Sequence, residues 1–320
     1  MLPVSNRRVW GIGVGVTICW MATLGLGQQA TLSPAQVAAA RAELARQAAM
    51  PDTPGTGAFP AVKEEIATFP DHVVYRPADL GKLGSTKLGL YLFGNPGCSN
   101  DGASSRLHLL EIASHGYLAI ALGRIRSGPG TTAPRRTATT DAKGLTAALD
   151  WALKQNTDPA SSFHGRIDPR AVAVSGTSCG GLEALQVAAD PRIKTLVIMN
   201  SGLFNEGPNR IPGKYLPKTM LNDIHSPTFY ILGGETDRAY KNGMDDFARI
   251  NHVPVVVGNV LGVGHGGTYW QPNGGKAAAA VVAWLNWQLR GDTRAAKMFV
   301  GKDCGLCVDA AWKIEKKGVE

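Results

Sequence analysis

From residue 62 onward, short apolar runs alternate with longer amphipathic stretches. Residues 72–75, 88–93, 117–122, 171–175, 195–199, 228–232 and 253–257 are rich in β-branched and aromatic side chains and bounded by Gly, Pro or Asp, which predicts strands. Residues 104–114, 140–154, 181–188 and 276–289 carry helix formers and predict helices between several of these strands and after the last. Such alternation implies an α/β fold: a mostly parallel central sheet with helices on both faces. Upstream, Ser33-Pro34 opens a further helix, with Ser as N-cap and Pro at the first helical position. Residues 51–60, rich in Pro, Gly and Thr, read as a linker. The expected organisation is a leader over 1–30, a helical segment and linker over 31–61, one main domain over 62–291, and a C-terminal tail over 292–320 that carries Cys304-Gly-Leu-Cys307.

The leader changes the picture of where the chain works. Arg7-Arg8 precede an apolar stretch over 9–26, followed by small residues at Gly25 and Gly27 and by Gln28-Gln29-Ala30, which is the pattern of an export signal. The expectation is a periplasmic or extracellular protein, with an uncleaved N-terminal anchor as the alternative, because the apolar stretch is near the lower length limit for a membrane span. The formal net charge is +8, but the basic residues form only pairs such as Arg135-Arg136 and Lys316-Lys317, with no stripe. That excludes nucleic acid as an expected partner. Of the 5 cysteines, Cys19 lies in the leader; Cys98, Cys179, Cys304 and Cys307 remain, and an even count in an exported chain favours two bridges.

The strongest chemical signal is Gly176-Thr177-Ser178-Cys179-Gly180-Gly181, placed between a predicted strand and a predicted helix. This is the context of the G-x-S-x-G nucleophile elbow, in which a sharp turn exposes the serine hydroxyl and glycines on either side let strand and helix approach. Serine needs a base, and in folds with this elbow the order is Ser, then Asp or Glu, then His. His225 and His252 precede strands; His265 follows one, in Gly264-His265-Gly266-Gly267. His265 is therefore the expected base. Asp237, after the strand over 228–232, is the expected acid, with Glu235 as runner-up. Asp245 and Asp246 are expected on a solvated helix face. One oxyanion donor should be the Cys179 N–H, and the other should come from the loop Gly94-Asn95-Pro96-Gly97-Cys98-Ser99.

The chain resembles the cutinase and poly(ethylene terephthalate) hydrolase branch of the α/β-hydrolases, close to the dienelactone hydrolases. The resemblance rests on Pro96-Gly97-Cys98-Ser99, Ala113-Ser-His-Gly-Tyr117, Gly165-Arg-Ile-Asp168, the elbow, Asp190-Pro-Arg-Ile-Lys194, Gly233-Gly-Glu-Thr-Asp237 and the segment from Trp284 to Arg294, in that order. It implies an α/β-hydrolase fold and a serine-dependent hydrolase of carboxylic esters, acting on a small-molecule or polymeric ester without cofactor or metal. By the same resemblance Cys98 stands where the family has an aromatic oxyanion residue, Cys179 where it usually has Met, and Leu203 near its substrate-stacking Trp, so the aromatic clamp for bulky aryl esters is missing. Thr177 and Leu203 are expected in the substrate pocket, and a loop over 204–219 is expected to shape it.

Two oxyanion donors that share one oxygen stand close enough for their Cα atoms to be bridged. Cys98–Cys179 is therefore expected as a disulfide, with two small buried thiols as the alternative. Cys304–Cys307 is expected as a local structural bridge, since this CxxC has no second ligand pair for a metal and no thioredoxin-like setting. A monomer is expected, with no stable membrane partner once the leader is removed. An acyltransferase or amidase on the same triad, and a non-catalytic binding protein on a hydrolase scaffold, are the competing readings.

Overall fold

The computed structural model describes residues 33–131, 138–205 and 216–320. The leader expected over 1–30 lies outside the described residues, as does most of the loop expected over 204–219.

Nine strands form one sheet among the described residues: β1 (Ala61–Ile66), β2 (Phe69–Pro77), β3 (Leu88–Gly94), β4 (Tyr117–Leu122), β5 (Ile167–Thr177), β6 (Thr195–Met199), β7 (Thr228–Leu232), β8 (Val255–Val260) and β9 (Trp312–Lys317). Their order is β1-β2-β4-β3-β5-β6-β7-β8-β9. The six strands β3 to β8 run parallel; β1 and β2 join antiparallel at one edge and β9 at the other. This is the mostly parallel α/β sheet that strand–helix alternation implied.

The parallel strands read as continuous apolar runs because both faces are buried. Leu90, Leu92, Val172, Val174, Leu196 and Ile198 point into one core layer. Helices α3 (Lys143–Thr157) and α4 (Cys179–Gln186) close that layer with residues such as Leu145, Leu149, Leu182 and Leu185. The alternating residues Tyr91, Phe93, Ala173, Val197 and Met199 point into the other. Helices α2 (Arg106–Ser114) and α6 (Gly275–Arg290) close it with Leu109, Ile112, Val281 and Trp284. The indole N–H of Trp284, fully buried, donates to the Thr195 hydroxyl at 2.7 Å. Period-two alternation thus sorts each strand between two cores.

Several features differ from expectation. Strand β9 lies in the residues expected as a tail. It reads Trp-Lys-Ile-Glu-Lys-Lys, pairs with β8, and lays the Trp312 ring against Gly258, so residues after 291 complete the sheet. β1, Ala-Val-Lys-Glu-Glu-Ile, was not expected as a strand either. Charged residues on edge strands block further pairing, and they also hide such strands from hydropathy. Helix α1 (Pro34–Ala49) is held to the body by buried Arg106, which donates to the Gln47 and Met50 carbonyls and, at 2.8 Å, to Asp52.

Asp246 corrects the expectation of a solvated helix face. It sits on α5 (Tyr240–Arg249) with its side chain fully buried. Its carboxylate accepts from Lys218 Nζ at 2.5 Å, the Leu203 N–H at 2.8 Å and the Tyr230 hydroxyl at 3.2 Å. The pair anchors the segment leaving β6. Asp245 keeps partial exposure and also pairs with Lys218, at 2.9 Å.

Asp246→Ala leaves the Leu203 amide and the Tyr230 hydroxyl unmatched, with Lys218 still paired to Asp245, and should cost about 1–3 kcal/mol in urea unfolding. Burial raises the Asp246 carboxyl from 3.8 to about 6, against the pull of Lys218. In that interval the folded chain keeps a proton that the unfolded chain has released. The contribution of this group therefore favours folding at acid pH and is lost as pH rises through about 6. Asp246→Asn should flatten that part of the stability profile, measured by urea melts across the interval.

Candidate active site

The strand β5 ends, the chain turns, and α4 begins, with Ser178 at the bend. Its backbone takes φ 55° and ψ −119°, a conformation that L side chains rarely adopt. Close packing holds it there. A Cβ on Gly176 would stand 2.1 Å from the Gly180 carbonyl oxygen, and one on Gly180 would stand 2.0 Å from that of Gly94. Only glycines let β3, β5 and α4 meet this closely. The Ser178 carbonyl accepts from the Ser201 hydroxyl at 2.6 Å, which braces the bend from the β6 side.

Two loops deliver the partners of Ser178. His265 Nε2 lies 2.9 Å from Ser178 Oγ, and His265 Nδ1 lies 2.6 Å from Asp237 Oδ1. The structure thus brings together three side chains that lie far apart along the chain. Their loops touch: the Gly264 N–H donates to the Gly233 carbonyl at 3.0 Å, and a Cβ on Gly233 would stand 1.8 Å from the Gly264 oxygen. Glu235 is exposed and contributes nothing to the cluster, whereas the Asp237 side chain is fully buried. His225 and His252 bond the carbonyls of Ile193 and Ile224 instead.

Asp237 accepts further hydrogen bonds, from the Gly233 N–H at 3.0 Å, the Ala239 N–H at 2.9 Å and Asn200 Nδ2 at 2.7 Å. Burial pushes its carboxyl up, but His265 and the two backbone donors outweigh burial and hold its pKa below the ordinary carboxylate value. Its contribution to folding is therefore complete at neutral pH and is lost only as acid titrates it through that depressed value. Asn200 and Ser201, at the end of β6, had no signal in the sequence: they are a polar pair after an apolar run, without a motif.

Cys98 and Cys179 are joined, with Cα atoms 5.2 Å apart, so the loop after β3 is tied to the first residue of α4. Cys304 and Cys307 form the second bridge, 3 residues apart. The Cys179 N–H opens α4, where no carbonyl one turn back can bond it, and it points out of the helix end. The Cys98 N–H differs from the expected free donor: it closes a turn onto the Asn95 carbonyl at 3.0 Å. It can serve an oxyanion only by sharing its hydrogen between two oxygens, an arrangement common at helix ends. The Cys98 backbone also takes a positive φ, 46°.

The two expected pocket residues lie deeper than a pocket wall. Thr177 is 4 % exposed and Leu203 is 0 % exposed. Leu203 belongs to the core layer beneath α4, its N–H held by Asp246, so it cannot replace a stacking aromatic at an open cleft.

An α/β sheet with a serine, a histidine and an aspartate aligned at its carboxyl edge defines the α/β-hydrolase class. No protein-family model matches the chain. Among curated proteins it is 30% identical over 194 residues to Cutinase est1 of Thermobifida alba, a match covering 56% of this chain and 60% of that protein. It is 28% identical over 194 residues to Cutinase est2 of the same organism, covering 56% of this chain and 59% of that protein. The chain therefore spans less than two thirds of the length of these relatives, and over that stretch it is similar to these cutinases.

Loss of the Cys98–Cys179 bridge, whose sequence separation is 81, should cost about 4 kcal/mol by chain entropy. The three-residue Cys304–Cys307 loop should contribute about half as much. Urea unfolding of Cys98→Ser/Cys179→Ser and Cys304→Ser/Cys307→Ser variants measures the difference.

Proposed function

We propose that this protein is an exported serine hydrolase of carboxylic esters that works through an acyl-enzyme. The observation that carries the reading is the continuous contact from Asp237 through His265 to Ser178 Oγ, with the serine half-buried at a helix N-terminus. The relation to proteins named cutinases supports the class of reaction. Two disulfides support an oxidising compartment, as the expected leader does.

The geometry supports the following steps. Ser178 Oγ attacks the ester carbonyl carbon while His265 Nε2 takes its proton. The carbonyl π electrons move to oxygen, and the oxyanion lies against the Cys179 N–H at the positive end of α4, with the Cys98 N–H as the shared second donor. Collapse breaks the bond to the alcohol oxygen, which leaves with the proton from His265. Water then repeats the sequence on the acyl-enzyme, releasing the acid and restoring Ser178. Asp237, anionic and multiply bonded, holds the imidazole with Nδ1 protonated and stabilises the imidazolium.

Ser178→Ala should abolish hydrolysis of a chromogenic short-chain ester while melting like the parent. Asp237→Asn, which favours the wrong imidazole tautomer, should lower kcat by about 10⁴-fold. Equal turnover by the Ser178→Ala variant and the parent removes the serine from the mechanism. Transfer to an added alcohol or amine in preference to water would turn the reading to an acyltransferase, and faster cleavage of the matching amide would turn it to an amidase.

A further inference from the structure

Asn200 follows β6 and is 1 % exposed, in a left-handed backbone conformation with φ 44°. Its N–H still continues the sheet, donating to the Ile231 carbonyl at 2.7 Å, so the residue is held by strand pairing. Its side-chain amide has two faces. On one, Nδ2 donates to Asp237 Oδ2 at 2.7 Å and to the Gly264 carbonyl at 3.1 Å. Gly264 immediately precedes His265, so one amide group spans the loop of the acid and the loop of the base. On the other face, Oδ1 accepts from the Tyr269 hydroxyl.

The chemistry of the neighbours fixes which way the amide points. A carboxylate only accepts, so the face toward Asp237 must be the NH₂. Burial, with the negative charge of Asp237 nearby, holds the Tyr269 phenol well above its ordinary pKa, so it stays protonated and donates to the oxygen face. The loop closes tightly over this pair: a Cβ on Gly267 would stand 2.2 Å from the Tyr269 ring and 2.9 Å from Asn200 Oδ1. Tyr269 orients Asn200, and Asn200 spans Asp237 and the histidine loop.

We propose that Asn200, oriented by Tyr269, is a positioning residue that sets the Asp237–His265 pair for proton transfer. This rests on the serine-hydrolase reading. The bond that Asn200 makes is to an ionised group, the stronger class of hydrogen bond. It also holds the acid loop and the base loop in a single relative placement, which packing alone does not fix for a polar pair.

The test uses the full chain and a readout independent of the ester chosen: the rate of labelling by a fluorophosphonate. In that reaction Ser178 Oγ forms a bond to phosphorus, fluoride leaves with the P–F electron pair, and the hydroxyl proton passes to His265. Asn200→Ala should slow labelling, and lower kcat on a chromogenic ester, by about 10- to 100-fold, with KM within about twofold. Asn200→Asp keeps the acceptor for Tyr269 but turns a second carboxylate toward Asp237. The added charge favours the imidazolium, so the acid limb of the labelling-rate profile should move to higher pH. Tyr269→Phe should give a smaller loss in the same direction. A loss of packing alone would lower the melting temperature without moving that limb. Wild-type rates and an unmoved acid limb in both Asn200 variants would overturn the proposal. Absence of labelling in the parent chain, or labelling that Ser178→Ala leaves undiminished, would instead overturn the serine-hydrolase reading on which it rests.

Discussion

The structure turns on one close approach: three backbone segments meet where Gly94, Gly176 and Gly180 leave no room for a side chain. That contact forces the chain between β5 and α4 into a bend that a serine tolerates only under constraint, and it holds the constraint from three sides. The hydroxyl at the bend is therefore held within reach of a base. A larger residue at any of these positions would push β3, β5 and α4 apart. The elbow would then relax, and α4 would no longer begin beside the reacting hydroxyl. Fold and candidate chemistry share this dependence, because the six parallel strands have to carry their loops to one edge for the histidine and aspartate to arrive there at all.

At that edge, the carboxylate of Asp237 is buried and still satisfied. Asp237 accepts from two backbone amides, the Asn200 side chain and His265, which is why it can remain ionised without solvent. Asp246, one loop away, is the contrasting case: a buried carboxylate that leans on Lys218 and has its pKa raised. The difference follows from donor type and number. Several short donors converge on Asp237 from loops packed against it, whereas Asp246 relies on one long flexible ammonium, one amide and one phenol.

The elements buried on both faces were legible in the sequence because burial writes apolar runs: β3, β4, β6 and β7 fall within a residue of the predicted segments. β1 and β9 were not legible. Each has one edge toward solvent and carries Lys and Glu, so hydropathy gives β1 no strand signal and makes β9 look like a tail. The Ser, His and Asp residues could be picked out because each sits in a glycine-bounded turn after an apolar run. Their mutual contact could not, since it depends on where loops land. Asn200, Ser201 and Tyr269 carried no pattern, because a polar residue that serves another polar residue is defined by a distance, not by a spacing. Leu203 was placed in the pocket by resemblance, but in this chain Asp246 holds the segment after β6 down against the core.

The cysteines at positions 98 and 179 bear on how such a site gains rate. An aromatic side chain at the oxyanion loop would add surface for substrate, and that surface contributes to ground state and transition state alike. A covalent tether adds no such surface. It limits the separation of two loops whose amides, on the proposed reading, share one carbonyl oxygen, and that separation matters most when charge develops there. On the proposed reading, the chain trades affinity for geometry, and it does so twice. The bridge limits motion on the oxyanion side, and the amide of Asn200 limits it on the side of the base. Between the two, Ser178 is held by close packing, by its N–H on the Met199 carbonyl and by the Ser201 hydroxyl on its own carbonyl, so its placement depends on groups outside the reacting centre.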